Sequence, residues 1–178
     1  MTKRIMSTIQ EKLGGYIHKI DANDPAQNET IHPESTNYLE QAGVSAVLVA
    51  LYEYMHRKDG IPLETLSTQE GLKAIFNTHL TEVIQAVSAY SSTDELSVRD
   101  YLSRVYEVVL TTVHEIAGTK REDILKLFKE QKESILSTLP SSLGLGNLLD
   151  HNALEDRTHK MDGILSSFTK ILGELLNK

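Results

Sequence analysis

The chain of 178 residues contains no cysteine and no tryptophan, and only 6% of its residues are aromatic. The absence of cysteine excludes disulfides, thiolate metal ligands and cysteine nucleophiles. With so few aromatic rings, the core must consist mainly of leucine, isoleucine and valine. A protein without disulfides is compatible with a reducing compartment, so we expect a cytoplasmic location.

Long apolar runs and clusters of positive charge are also scarce. The longest apolar run, residues 44–51, is far shorter than the ~20 residues of a spanning helix, so we expect no membrane span. The net charge is −7, and the basic pairs at residues 3–4 and 120–121 are small. Because binding to phosphates requires a local cationic surface, we expect no nucleic-acid partner.

Helical periodicity is present in every long segment, and the alternation typical of strands is nearly absent. The first helix face is predicted from Ile5, Ile9, Leu13, Tyr16 and Ile20, which recur at steps of three and four. The whole pattern predicts an all-α fold, a compact bundle of about six to eight helices with no sheet. We expect a single helical domain over residues 1–178, in which residues 150–178 could form a C-terminal helical appendage.

The helix predicted over about residues 36–57 is apolar on nearly every side in its middle. Such a helix must be buried among several neighbours rather than on one. We therefore expect five of its side chains to be buried all round: Val47, Leu48, Val49, Leu51 and Tyr52.

Two pairs of residues have the spacing of a capping box, in which two side chains reach each other's free backbone N–H groups. Ser67 with Glu70 is predicted to open a helix that continues to about residue 90, and Thr119 with Glu122 is predicted to open another. Gly118 is the expected end of the helix that precedes Thr119.

Residues 127–149, LFKEQKESILSTLPSSLGLGNLL, pass from a charged helical run through Pro140 into a sequence of glycine and leucine. This segment resembles the Q-K-x-S-I-x-S-x-L-P-x-x-L-G stretch of a bacterial family known as domain of unknown function 937. The resemblance covers about residues 40–149. It implies an all-helical bacterial domain, and it transfers no catalytic residue because no motif of that family is associated with catalysis.

Glu53 and His56 form a Glu-x-x-His pair on a predicted helix, as in the carboxylate-bridged di-metal bundles. A complete site needs a second such pair and two further glutamates. The other match, Glu29 with His32, lies in a predicted loop. Glu53, His56 and His114 are therefore only weak metal candidates, and the simpler interpretation places Glu53 and His56 at the solvated end of a buried helix. We predict no catalytic residue and no cofactor.

The C-terminal part of the chain has a surplus of apolar residues. Contiguous apolar surface on a soluble protein usually marks a partner site. The two apolar segments, residues 143–149 and 164–176, could equally fold back on the core. The residues predicted for an interaction surface are Leu143, Leu145, Leu148, Leu149, Ile164, Phe168 and Leu172. The sequence thus favours a non-enzymatic structural or interaction module whose partner is a protein, including a second copy of itself. The alternative is a small-molecule or metal-binding helical domain.

Overall fold

The computed structural model describes residues 4–15, 17–20, 35–57, 62–140 and 143, and within these ranges it contains no strand. The all-α fold class predicted from the sequence is confirmed. The six α-helices of the described ranges lie at the low end of the expected number. They are α1 (Ile5–Leu13), α2 (Ser35–His56), α3 (Thr68–Phe76), α4 (Leu80–Ser91), α5 (Glu95–Ala117) and α6 (Arg121–Leu136), with short 3-10 turns at Leu63–Thr65 and Asn77–His79.

Helix α2 is the centre of the bundle and packs against α3, α4, α5 and α6. Every residue from 41 to 55 is buried, which confirms the burial predicted for the middle of this helix. Gly43 permits the close approach of α5, since a Cβ at this position would lie 2.8 Å from Cε1 of Tyr101. Helices α3 to α6 therefore surround α2, whereas α1 packs on α5 and α6. None of the helices in the described ranges is long and apolar enough to cross a membrane.

The first helix is shorter than its apolar spacing predicts. It ends at Leu13, where Gly14 adopts the left-handed conformation with φ 77° and donates its N–H to Gln10. Residues 17–20 have no helical structure, so the prediction that Ile20 shares a helix face with Ile5 is wrong. Tyr16 lies outside the described residues. Glycine adopts positive φ without a Cβ penalty, and this is why the helix stops there.

One of the two predicted capping boxes is present. At the start of α3, the Oγ of Ser67 accepts from the N–H of Glu70, and the Glu70 carboxylate accepts from the N–H of Ser67. The box predicted at Thr119 is wrong because α6 begins later, at Arg121, with no side-chain cap. Gly118 ends α5 as predicted, with φ 76°.

The helix predicted to continue from residue 67 to about residue 90 is interrupted. Asn77 has φ 53° and begins the 3-10 turn Asn77–His79, which precedes α4 at Leu80. A positive φ is unfavourable for residues other than glycine, and among these it is tolerated best by asparagine and aspartate. The interruption lets α3 and α4 turn separately onto α2.

Candidate functional site

Four buried polar residues connect three parts of the chain. We call this group the polar seam; it comprises Gln41 and Ser45 of α2, Gln131 of α6, and Thr138, which follows α6. The most exposed of the four is Gln131, at 9%. Buried polar side chains are costly unless they are hydrogen-bonded, so their partners determine what the seam does.

Gln41 binds the backbone of His18 at both of its polar groups. Its Oε1 accepts from the His18 N–H at 2.8 Å, and its Nε2 donates to the His18 carbonyl at 2.9 Å. The same Nε2 also donates to the carbonyl of Thr138. A single amide side chain therefore holds residues 17–20 against α2 and joins both to the chain after α6.

The other seam residues complete the connection. Ser45 donates from Oγ to the Thr138 carbonyl at 3.0 Å. Gln131 accepts at Oε1 from the N–H of Ile5 at 2.8 Å, and so occupies the place of an N-cap for α1. Gln131 and Thr138 both lie within residues 127–149. In this structure these two polar residues have a structural role.

A pocket of about 180 Å³ lies at the C-terminal end of α2. Its lining residues come from α2, the first 3-10 turn, the loop after α5 and the start of α6: Tyr54, Met55, Pro62, Leu63, Glu64, Thr119, Arg121 and Ile124. Pockets for small ligands typically have volumes of roughly 300–1,000 Å³. The pocket is therefore small for an organic ligand.

Arg121 gives the pocket its cationic wall, and it also completes the end of α2. Its Nε donates to the carbonyl of Met55 at 3.0 Å, and an Nη donates to the carbonyl of Arg57. The last carbonyls of a helix have no partner within the helix and carry partial negative charge, so a guanidinium stabilises them. These contacts place the Arg121 guanidinium against the last carbonyls of α2.

Tyr106 lies near this end of the bundle with its hydroxyl packed against Gly71, where a Cβ would be only 2.0 Å from the oxygen. Burial raises the pKa of Tyr106 to about 12, and the nearby Tyr54 and Glu64 contribute in the same direction. The hydroxyl has no hydrogen-bond partner among the described residues, and with its raised pKa it stays protonated at neutral pH. Tyr106 is therefore unsuited to act as a base.

The three weak metal candidates do not form a ligand set. Glu53 is 5% exposed, so it does not lie in the solvated position that the sequence suggested. His56 is exposed, and its Nδ1 lies 2.8 Å from the carbonyl of Tyr52. His114 is half-buried in the last turn of α5. Within the described ranges, no group of three or more His, Asp or Glu side chains is arranged to hold a metal ion. Glu29 and His32 lie outside those ranges.

The predicted interaction surface falls mostly outside the described residues. Leu143 is described, and it is only 2% exposed because it packs into the hydrophobic core. The Leu143 side chain therefore belongs to the hydrophobic core and not to an exposed interaction surface. The described residues have one exposed large hydrophobic side chain, Leu96, which is 70% exposed. The predicted residues that lie outside the described ranges are Leu145, Leu148, Leu149, Ile164, Phe168 and Leu172.

Sequence reasoning missed Gln41, Gln131 and Arg121, which hold the described helices together. A signal exists for Gln131, because it continues the apolar stripe of Ile124 and Phe128 at steps of three and four. A polar residue on such a stripe must find a partner in the core.

Comparison of the chain with family models, with curated proteins and with solved structures finds no match to any of them.

Proposed function

We propose that this chain is a non-enzymatic helical interaction module of a cytoplasmic bacterial protein. We propose that it binds protein, including a second copy of itself, through an apolar stripe in its C-terminal part. The stripe comprises Met161, Ile164, Leu165, Phe168, Leu172 and Leu175, which fall on one face at helical spacing. Membership of the family of domain of unknown function 937 is part of this proposal, and the segment after Leu127 supports it.

One observation of the described bundle supports this proposal most strongly. The apolar side chains of its helices are used in its own core, and of the large ones only Leu96 is exposed. Other large apolar side chains at the described surface, such as Leu39, Leu110 and Leu125, are half-buried against this core. A contiguous apolar stripe exposed on such a surface usually marks a partner site, which supports the proposal.

The alternative, a small-molecule or metal-binding domain, has weaker geometric support. The pocket beside Arg121 is small, and the guanidinium is bonded to two backbone carbonyls. Elemental analysis of the purified chain separates the two functions, and we expect metal content far below one ion per chain. A near-stoichiometric metal that is lost in Glu53→Ala or His56→Ala would favour the alternative.

The experiment that tests the interaction module compares Phe168→Glu with Ser166→Glu. Both substitutions add one negative charge, but Phe168 lies within the stripe and Ser166 lies on the opposite side at helical spacing. By light scattering we expect Phe168→Glu to convert a dimer to a monomer that keeps its helical circular dichroism spectrum, while Ser166→Glu keeps the mass of the natural chain. If Phe168→Glu lowers the melting temperature and leaves the mass unchanged, the stripe packs on its own bundle and the proposal fails.

A further inference from the structure

Residues 4–15 and 17–20, which we call the N-terminal segment, contact the bundle as a bound peptide contacts its receptor. Helix α1 has only nine residues, and isolated helices of this length are marginal in water. Its N-cap position, Arg4, provides no side-chain hydrogen bond. The first N–H of the helix is instead bound by Gln131 of α6. The segment therefore obtains its order from the rest of the bundle.

The apolar anchors of α1 have the spacing of a helix bound in a groove. Ile5 and Ile9 are fully buried and lie one turn apart, with Met6 beside them at 7% exposure. They pack against α5 and α6. Anchors at i and i+4 are typical of amphipathic helices that enter an apolar groove on a partner. An ion pair of 2.7 Å between Lys12 and Glu115 lies at the edge of this groove.

The non-helical part of the segment, residues 17–20, is held through its backbone. Gln41 binds the N–H and the carbonyl of His18, and Ser137 accepts from the N–H of Ile20 at 2.7 Å. Ile17 adds a side-chain anchor at 7% exposure. The N-terminal segment therefore combines a helix in a groove, which is a recurring mode of peptide recognition, with backbone hydrogen bonds at residues 17–20.

The connection to α2 is long enough for this segment to reach another molecule. Fourteen residues, 21–34, separate it from Ser35, and they can extend to about 50 Å. Within one chain the required distance is short, because Gln41 contacts His18 and Ser35 precedes Gln41 by only about 9 Å of helix. The excess length permits the same segment to enter the groove of a neighbouring copy.

We propose that the groove between α5, α6 and the first half of α2 is a peptide-binding surface, and that two copies of this chain exchange their N-terminal segments through it. Such an exchange reuses every contact of the single chain, so its cost is mainly the loss of tethering. Because a tether of this length gives an effective concentration in the millimolar range, exchange becomes prominent near ~1 mM or when the connection is shortened. This surface is separate from the C-terminal stripe and does not depend on it.

The test uses two full-length chains that each carry one thiol, since the natural chain has no cysteine. One chain is Lys12→Cys and the other, with a mass tag, is Glu115→Cys. They are mixed at ~1 mM, incubated, and treated with a short bis-maleimide. Exchange places the two thiols of different chains side by side. The matched control replaces the second chain with Glu95→Cys, whose thiol lies about 30 Å away along α5.

We expect the Lys12–Glu115 pair to give about tenfold more covalent heterodimer than the control pair, with a yield that rises with protein concentration. Phe168→Glu in both chains should leave this yield unchanged, which distinguishes the exchange from the C-terminal contact. Deletion of residues 23–32 leaves four connecting residues and should raise the yield further. Equal yields for the two pairs over the concentration series of the undeleted chains would overturn the proposal, whether or not the shortened chain folds.

Discussion

Replacing Gln41 with alanine should destabilise the protein much more than the same replacement at an exposed glutamine. Gln41 is 5% exposed and makes three hydrogen bonds, two to His18 and one to Thr138. At about 0.5–1.5 kcal/mol each, these bonds contribute roughly 1.5–4.5 kcal/mol. The Thr138 carbonyl keeps Ser45 as a donor, and His18 can recruit water at its exposed side. We therefore expect a loss of about 2–4 kcal/mol.

Urea denaturation followed by circular dichroism measures this loss. For a slope of about 2 kcal/mol/M, the midpoint should fall by about 1–2 M. The matched control is Gln69→Ala, because Gln69 makes one exposed hydrogen bond, to Ser103, and should change stability by less than ~0.5 kcal/mol. The two variants should also differ in hydrogen exchange at residues 17–20. If Gln41→Ala were no more destabilising than Gln69→Ala, the polar seam would not hold the N-terminal segment in place.

Three further predictions concern the helices. Leu48→Ala should cost about 2–5 kcal/mol in urea denaturation because Leu48 is fully buried, whereas Leu96→Ala should be nearly neutral; similar losses would contradict the central position of α2. Ser67→Ala should cost about 1 kcal/mol, while Thr119→Ala should change stability by less than ~0.5 kcal/mol since only Ser67 caps a helix. The Ser67 hydroxyl and, to a lesser extent, the Ser67 backbone N–H lower the pKa of Glu70. The resulting contribution to stability is present above the usual carboxyl pKa and is lost as the pH falls through the lowered pKa. Glu70→Gln should therefore weaken the decrease in melting temperature on acidification.

The sequence predicts best where local pattern and tertiary packing agree. The middle of α2 is apolar on all sides, so its burial follows without knowledge of its neighbours. The break at Asn77 could not be predicted in the same way, because helical spacing continues through it and the positive φ depends on how α3 and α4 pack onto α2. Ile20 misled the prediction of α1 because its spacing is helical by coincidence, whereas Gly14 ends the helix.

The polar seam was harder to predict than the core, because hydrogen bonds between distant residues leave almost no local pattern. The ends of the bond between Ile5 and Gln131 are 126 residues apart. The position of Gln131 on an apolar stripe shows only that it needs a partner. Arg121 gave no signal at all, since a basic residue at the start of a helix is ordinarily solvated and here reaches back to the end of α2.

The distance in sequence between α1 and its capping residue has a consequence for synthesis on the ribosome. Helix α1 is translated before the other described helices, but Gln131 is translated 126 residues after Ile5. Ser137, which accepts from the N–H of Ile20, is translated later still. At a translation rate of ~5–20 residues per second, about 6–25 s pass between the synthesis of Ile5 and the completion of the groove that buries Ile5 and Ile9. During this interval Ile5 and Ile9 lack the groove that buries them, so the first of the described helices to be synthesised is among the last to fold.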